Sequence, residues 1–204
     1  MATFGQIQDN IASNINRAGL TSDIQRAIRN AIKHYETEAF WFSDSNTSLV
    51  TASGTQSYTL SVTDGYSAIH QVIINSNGTR YELKQKSVAE INRLNSSGTT
   101  GEPSRYAEQN GLLVFYPIPN ATFTVSINYA TKFATLSATS DSNGFTVHAE
   151  DLIEARAEWY LKLRKVRDFQ GAEAAKISEN DALVRVRAEN DKKSSVESIK
   201  PTTW

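Results

Sequence analysis

Cysteine is absent from the 204 residues, which excludes disulfides, thiolate metal sites and cysteine nucleophiles and leaves stability to packing or to partners. An excess of charge of one sign is lacking too. The 21 basic and 22 acidic side chains nearly cancel, so no overall field draws in nucleic acid or an anionic membrane, and nucleic-acid contact would need a local patch. There is no run of about 18 apolar residues such as a membrane span requires, and the opening MATFGQIQDN has neither a charged nor an apolar leader region. The expectation is a soluble, unexported protein made in the cytoplasm. Asn46, Asn77, Asn95 and Asn120 stand in Asn-x-Ser/Thr sites, and without a secretory signal they read as turn asparagines.

Catalytic and ligand-binding signatures are equally sparse. His34, His70 and His148 are the only histidines, and none has the H-x-x-x-H or H-E-x-x-H spacing of a helical metal site. Asp141, Glu150 and Asp151 lack the spacing of a calcium loop. No G-x-S-x-G elbow exposes a serine, and no glycine-rich phosphate loop is present. No cofactor and no metal is expected. Two carboxylate pairs, Glu36 with Glu38 and Glu150 with Asp151, carry the residue types of a glycosidase; such pairs are more often solvated helix surface.

What the chain does have is a stretch around which the rest is organised, TSDIQRAIRNAIKHYETEAFWF at residues 21–42. Ile24, Ala27, Ile28, Ala31, Ile32 and Tyr35 recur at three-and-four spacing, predicting an amphipathic helix with Thr21 or Ser22 as its cap. Phe40, Trp41 and Phe42 then follow in succession, too many rings for one stripe, and predict a junction whose rings face more than one neighbour. Before it, Phe4, Ile7, Ile11 and Ile15 predict a helix over 3–18 closed by Gly19. The short link between the two makes them an antiparallel pair.

From about residue 46 the period changes from 3.6 to 2. Phe123, Val125, Ile127 and Tyr129 alternate with polar residues as a strand with one buried face does. Leu113 and Phe115, beside Leu112 and Val114, point to a strand buried on both faces. Asn77-Gly78 and Asn110-Gly111 predict two hairpins, because both turn positions accept positive φ. Ser87 and Glu90 open a short helix with capping-box spacing, and Pro117 and Pro119 end the preceding strand.

Helical spacing returns with Leu152, Ile153, Arg156, Trp159, Tyr160, Leu163, Val166 and Phe169, with a break or kink at Gly171, and continues weakly to about Asn190. Arg156, Lys162, Arg164, Lys165 and Arg167 concentrate positive charge there. The interspersed Glu154, Glu158 and Asp168 favour ion pairs on a solvated face over a nucleic-acid patch. The last stretch, DKKSSVESIKPTTW, has little periodicity and is expected to be extended. Its Ile199, Pro201 and Trp204 sit oddly in so polar a tail, and Trp is enriched among interface anchors.

Neither terminal helical pair is large enough to stand alone, so the pairs should pack together. The expected fold class is α+β: a helical bundle of N- and C-terminal helices (residues 1–45 and 146–190), an inserted antiparallel β domain (46–145) and an extended C-terminal tail (191–204).

The ordered set AIRNAIKHYETEAFWF, SGTQSYTLSVTDGY, GEPSRYAEQNGLLVFYPIPNATFTVSINYA and DLIEARAEWYLKLRKVRDFQGAEA resembles the head-to-tail adaptor (connector, or tail accessory) proteins of tailed phages, the short-tailed type above all. The resemblance implies a structural virion protein and not an enzyme. It would assemble as a ring, commonly dodecameric, beneath the portal protein and offer the tail proteins a docking surface at the head-tail junction. DNA would pass through the lumen without sequence-specific contact. It further implies that Val196, Ile199, Pro201 and Trp204 contact the portal or a neighbouring subunit. The alternative from the residues alone is a cell-wall glycan hydrolase using the paired carboxylates.

Overall fold

The computed structural model describes residues 1–17, 19–38, 40–62 and 65–196. It divides into two compact units, one from Met1–Ser43 with the described part of Phe133–Trp204, the other Asp44–Lys132. The fold is α+β, terminal helices with an antiparallel β region inserted between them in the chain.

In the helical unit, α1 (Phe4–Ile15) opens with a reciprocal cap: Thr3 Oγ1 accepts the Gln6 N–H at 3.3 Å and Gln6 Oε1 accepts the Thr3 N–H at 2.9 Å. It ends earlier than expected, because Asn16 takes the left-handed conformation (φ 48°) that stops a helix, ahead of Gly19. Helix α2 (Thr21–Tyr35) starts at Thr21, with Leu20 as an N-cap that makes no side-chain bond, so neither Thr21 nor Ser22 is the cap. It stops at Tyr35 rather than running on toward residue 42, and a 3₁₀ turn covers Trp41–Ser43. After the β unit come a short α4 (Gly144–His148), α5 (Glu150–Leu161), a π-helical turn (Lys162–Val166) and α6 (Phe169–Val196). The break between α5 and α6 falls at Arg167, not at Gly171. Helix α6 also runs through Val196, past the point where apolar periodicity fades, since its Ala, Glu, Lys and Arg are good helix formers and no Pro or Gly follows Gly171 within it. Phe4, Ile7, Ile11, Ile24, Ile28, Leu152, Ile153 and Leu161 fill the core that these helices share.

The β unit has two four-stranded sheets. The first, in order β1 (Asp44–Val50), β10 (Thr124–Thr131), β3 (Tyr66–Ser76), β4 (Thr79–Glu82), is antiparallel throughout. The second runs β2 (Ser57–Thr59), β8 (Leu112–Tyr116), β7 (Arg105–Gln109), β5 (Lys84–Gln85), with β5 parallel to β7. A small parallel pair joins β6 (Thr100–Gly101) and β9 (Ile118–Pro119). The β3–β4 and β7–β8 hairpins turn on Asn77-Gly78 and Asn110-Gly111, all four at positive φ. Val72, Ile74, Val125 and Ile127 of one sheet meet Tyr106, Leu113 and Phe115 of the other in one core. On the far side of the second sheet, α3 (Val88–Asn95) sets Ile91 against Ala107 and Val114. Both faces of β8 are thereby covered, which explains its unbroken apolar run. Ser87 Oγ caps α3 by accepting the Glu90 N–H at 3.2 Å.

The stretch after Lys132, carried to residue 145 in the β domain on composition, folds with the helices. The Phe133 N–H donates to Glu36 Oε1 at 3.0 Å, Arg29 Nε donates to the Leu136 carbonyl at 2.8 Å, and the Phe4 and Gly5 N–H groups donate to the Asp141 and Thr139 carbonyls. These partners satisfy two orphan donors of the first turn of α1.

Candidate functional site

Tyr35 ends the apolar stripe of α2, and the chain turns so that Phe40, Trp41 and Phe42 point into one cluster. Phe40 is buried and stacks on Phe42 at 5.3 Å. Phe145 stands edge-on to Phe40 and Phe42 at 6.1 and 5.1 Å and to Phe133 at 5.1 Å. His148 lies flat on Phe42 at 5.6 Å and tilted to Trp41 at 5.7 Å. The rings pack so closely against the start of α4 that a Cβ at Gly144 would lie 2.7 Å from Phe42 and 2.9 Å from Phe133.

Helix α6 is fastened to this junction near its C-terminal end. The Trp41 N–H donates to Asn190 Oδ1 at 2.8 Å, Lys193 Nζ sits 4.2 Å above the Trp41 ring, and Arg187 grips Glu38 through both carboxylate oxygens. Further back along α6, Glu179 is 1% exposed and accepts hydrogen bonds from Tyr35 Oη (2.5 Å), Arg156 (2.6 Å) and Lys176 (2.9 Å). Burial pushes the Glu179 carboxyl upward, but the hydrogen bonds from Tyr35, Lys176 and Arg156 outweigh it and hold the group below its ordinary range. Burial and the bond to Glu179 raise the Tyr35 phenol. Glu179 escapes notice in the sequence because an acid on a charged helix reads as surface. Its place on the stripe of Ala172, Ala175, Ala182 and Val186 is the signal that marks it as buried.

A groove of about 480 Å³ lies beside the junction, lined by apolar Val147, Ala182 and Val186 together with charged Glu150, Arg185 and Lys192. Of the four residues expected to contact partners, Val196 is the last residue of α6; Ile199, Pro201 and Trp204 lie outside the described residues. Three of the four paired carboxylates make structural contacts: Glu36 with the Phe133 N–H, Glu38 with Arg187, Asp151 with Arg185 at 3.1 Å; Glu150 lines the groove. Among the described residues no cluster of acidic and histidine side chains is arranged to hold a metal ion, and no helix is long and apolar enough to cross a membrane. The basic residues of α5 and the π turn divide. Lys162 pairs with Glu158 of α5, four residues back, at 2.8 Å, Lys165 with Asp23 at 3.1 Å, and Arg156 with Glu179; Glu154 bonds Asn10. Arg164 and Arg167 form no ion pair among the described residues.

The sequence model of the SU10 adaptor protein family matches residues 2–197, across both units. No curated protein matches the chain.

Proposed function

We propose, from the premise that this chain belongs to the SU10 adaptor protein family, that it serves as the head-to-tail adaptor of a phage virion, docked beneath the portal. Phage adaptors are structural proteins, and the match over residues 2–197 is the observation that carries the reading. Copies assemble as a ring, a dodecamer in this proposal, that joins portal above to tail proteins below. The nearly neutral chain (21 basic, 22 acidic) suits a lumen through which DNA slides, since a wall that neutralised many phosphates would hold the DNA fast. Chemistry at a site is not required for this role. The protein is made in the host cytoplasm and ends at the head-tail junction.

The C-terminal segment supplies the contact in this reading, with Val196, Ile199, Pro201 and Trp204 reaching the portal or the neighbouring subunit. Helix α6 is well placed to present it, because Asn190, Lys193 and Arg187 clamp its end to the aromatic junction. The test is co-sedimentation with the portal of the virus that encodes the chain, for the full protein and for one ending at residue 193. The full protein should pellet as rings on the portal, and the shortened one should stay in the supernatant with an unchanged far-UV spectrum and melting temperature. Equal binding by the two would remove the tail from the interface.

A further inference from the structure

Three of the large apolar side chains left in solvent lie on α6: Phe169 is 68%, Ile177 58% and Val184 66% exposed. Ala172, Ala175, Glu179, Ala182 and Val186 make up the buried stripe of the same helix. At ~100° per residue, Ile177 and Val184 fall close together on the opposite side, flanked by Glu173 and Asp181. Both acids are exposed, and neither forms an ion pair among the described residues.

The corner where α5 passes into α6 has the complementary chemistry. Phe169 stands there as an exposed ring, with the exposed and unpaired Arg164 and Arg167 close before it in the chain; the one acid between them, Asp168, accepts the Gly171 N–H at 2.9 Å, so the corner stays net positive. The corner is built at a cost. It needs a π-helical turn, Lys162–Val166, a form that recurs at functional sites. It also holds Arg167 at φ 61° and ψ 33°. Among the described residues the other non-glycine positions at positive φ are Asn16, Asn77 and Asn110, of the type that tolerates that conformation best. A long side chain kept where Asn or Gly would be less strained points to a use for that side chain.

We propose that the corner of one copy docks on the α6 stripe of a second copy, Phe169 against Ile177 and Val184, Arg164 and Arg167 against Glu173 and Asp181. The second copy is taken from the adaptor reading above. The choice of patches comes from charge. Stripe against stripe would oppose acids to acids, and corner against corner would gather arginines; corner against stripe is the matched pairing. Each copy carries both patches, so in the ring its corner engages one neighbour and its stripe the other; such a contact is heterologous and repeats head to tail until it closes. An aromatic anchor with arginines beside it is also the composition of an interface hot spot.

The absence of cysteine makes a disulfide test clean. Gln170→Cys and Asn180→Cys, both at exposed positions beside the two patches, are made in separate full-length chains, mixed and oxidised. The mixed disulfide should exceed its statistical share at least tenfold over either homodisulfide. Arg164→Glu with Arg167→Glu, or Glu173→Arg with Asp181→Arg, should abolish that preference, and all four reversals together in both chains should restore it. A statistical mixture, or a preference that charge reversal leaves untouched, overturns the proposal. Portal binding by the unmodified chain, measured in parallel, separates the two readings. Binding with only statistical disulfides removes this interface and keeps the adaptor role; a strong mixed disulfide without portal binding does the reverse.

Discussion

A carboxylate that accepts bonds from a phenol, a guanidinium and an ammonium cannot be lost without leaving three donors short of a partner, and Glu179 is so placed beneath Tyr35, Arg156 and Lys176. Glu179→Ala leaves the Arg156 guanidinium, only 19% exposed, without its counter-ion, and should cost about 3–5 kcal/mol, read as a lower urea midpoint at unchanged slope. An unshifted midpoint would mean that the cluster is ornamental. Acid should act on the same group. Its folded pKa lies below the ordinary 4.5, so its contribution is complete above pH 4.5 and is lost as pH falls through the folded value. The melting temperature should therefore drop in that window in the natural chain, and Glu179→Gln should lack this part of the drop. Glu154 works in the opposite sense: burial raises its pKa, so protonation favours its folded state.

At the scale of elements, the short α4 is held by ring packing at its first residue. Gly144→Ala would drive a methyl into Phe42 and Phe133 and should cost about 1–3 kcal/mol as overpacking; a melting curve identical to that of the natural chain would show that the rings yield freely. In the sequence Gly144 merely follows Asn143, and only the structure brings Phe133 and Phe42 to it. The same contrast holds across the fold. The registers of α1 and α2, both hairpins and the Ser87 cap were legible because each rests on local chemistry: period, positive-φ turn residues, a capping oxygen. Element ends were not, because tertiary partners decide them. The π turn and Arg167 terminate α5 with no proline or glycine to announce it, and residues 133–141 join the helices through hydrogen bonds to Glu36, Arg29, Phe4 and Gly5 that composition does not reveal. At the candidate site, Phe40, Trp41 and Phe42 stood out as consecutive rings, whereas the outer α6 stripe was hidden by an apolar pattern on both sides of the helix.

At the scale of the whole molecule, we propose that a chain of the SU10 adaptor protein family works by assembling, with the helical unit holding α6 firmly enough to present its end and its outer stripe. The measurement that tests this most directly is the light-scattering mass of the pure full-length protein, alone and after mixing with the portal, followed by negative-stain imaging of the same samples. A closed ring of many copies is expected, either in the protein alone or on the portal. A protein that remains monomeric and indifferent to the portal under both conditions would contradict it.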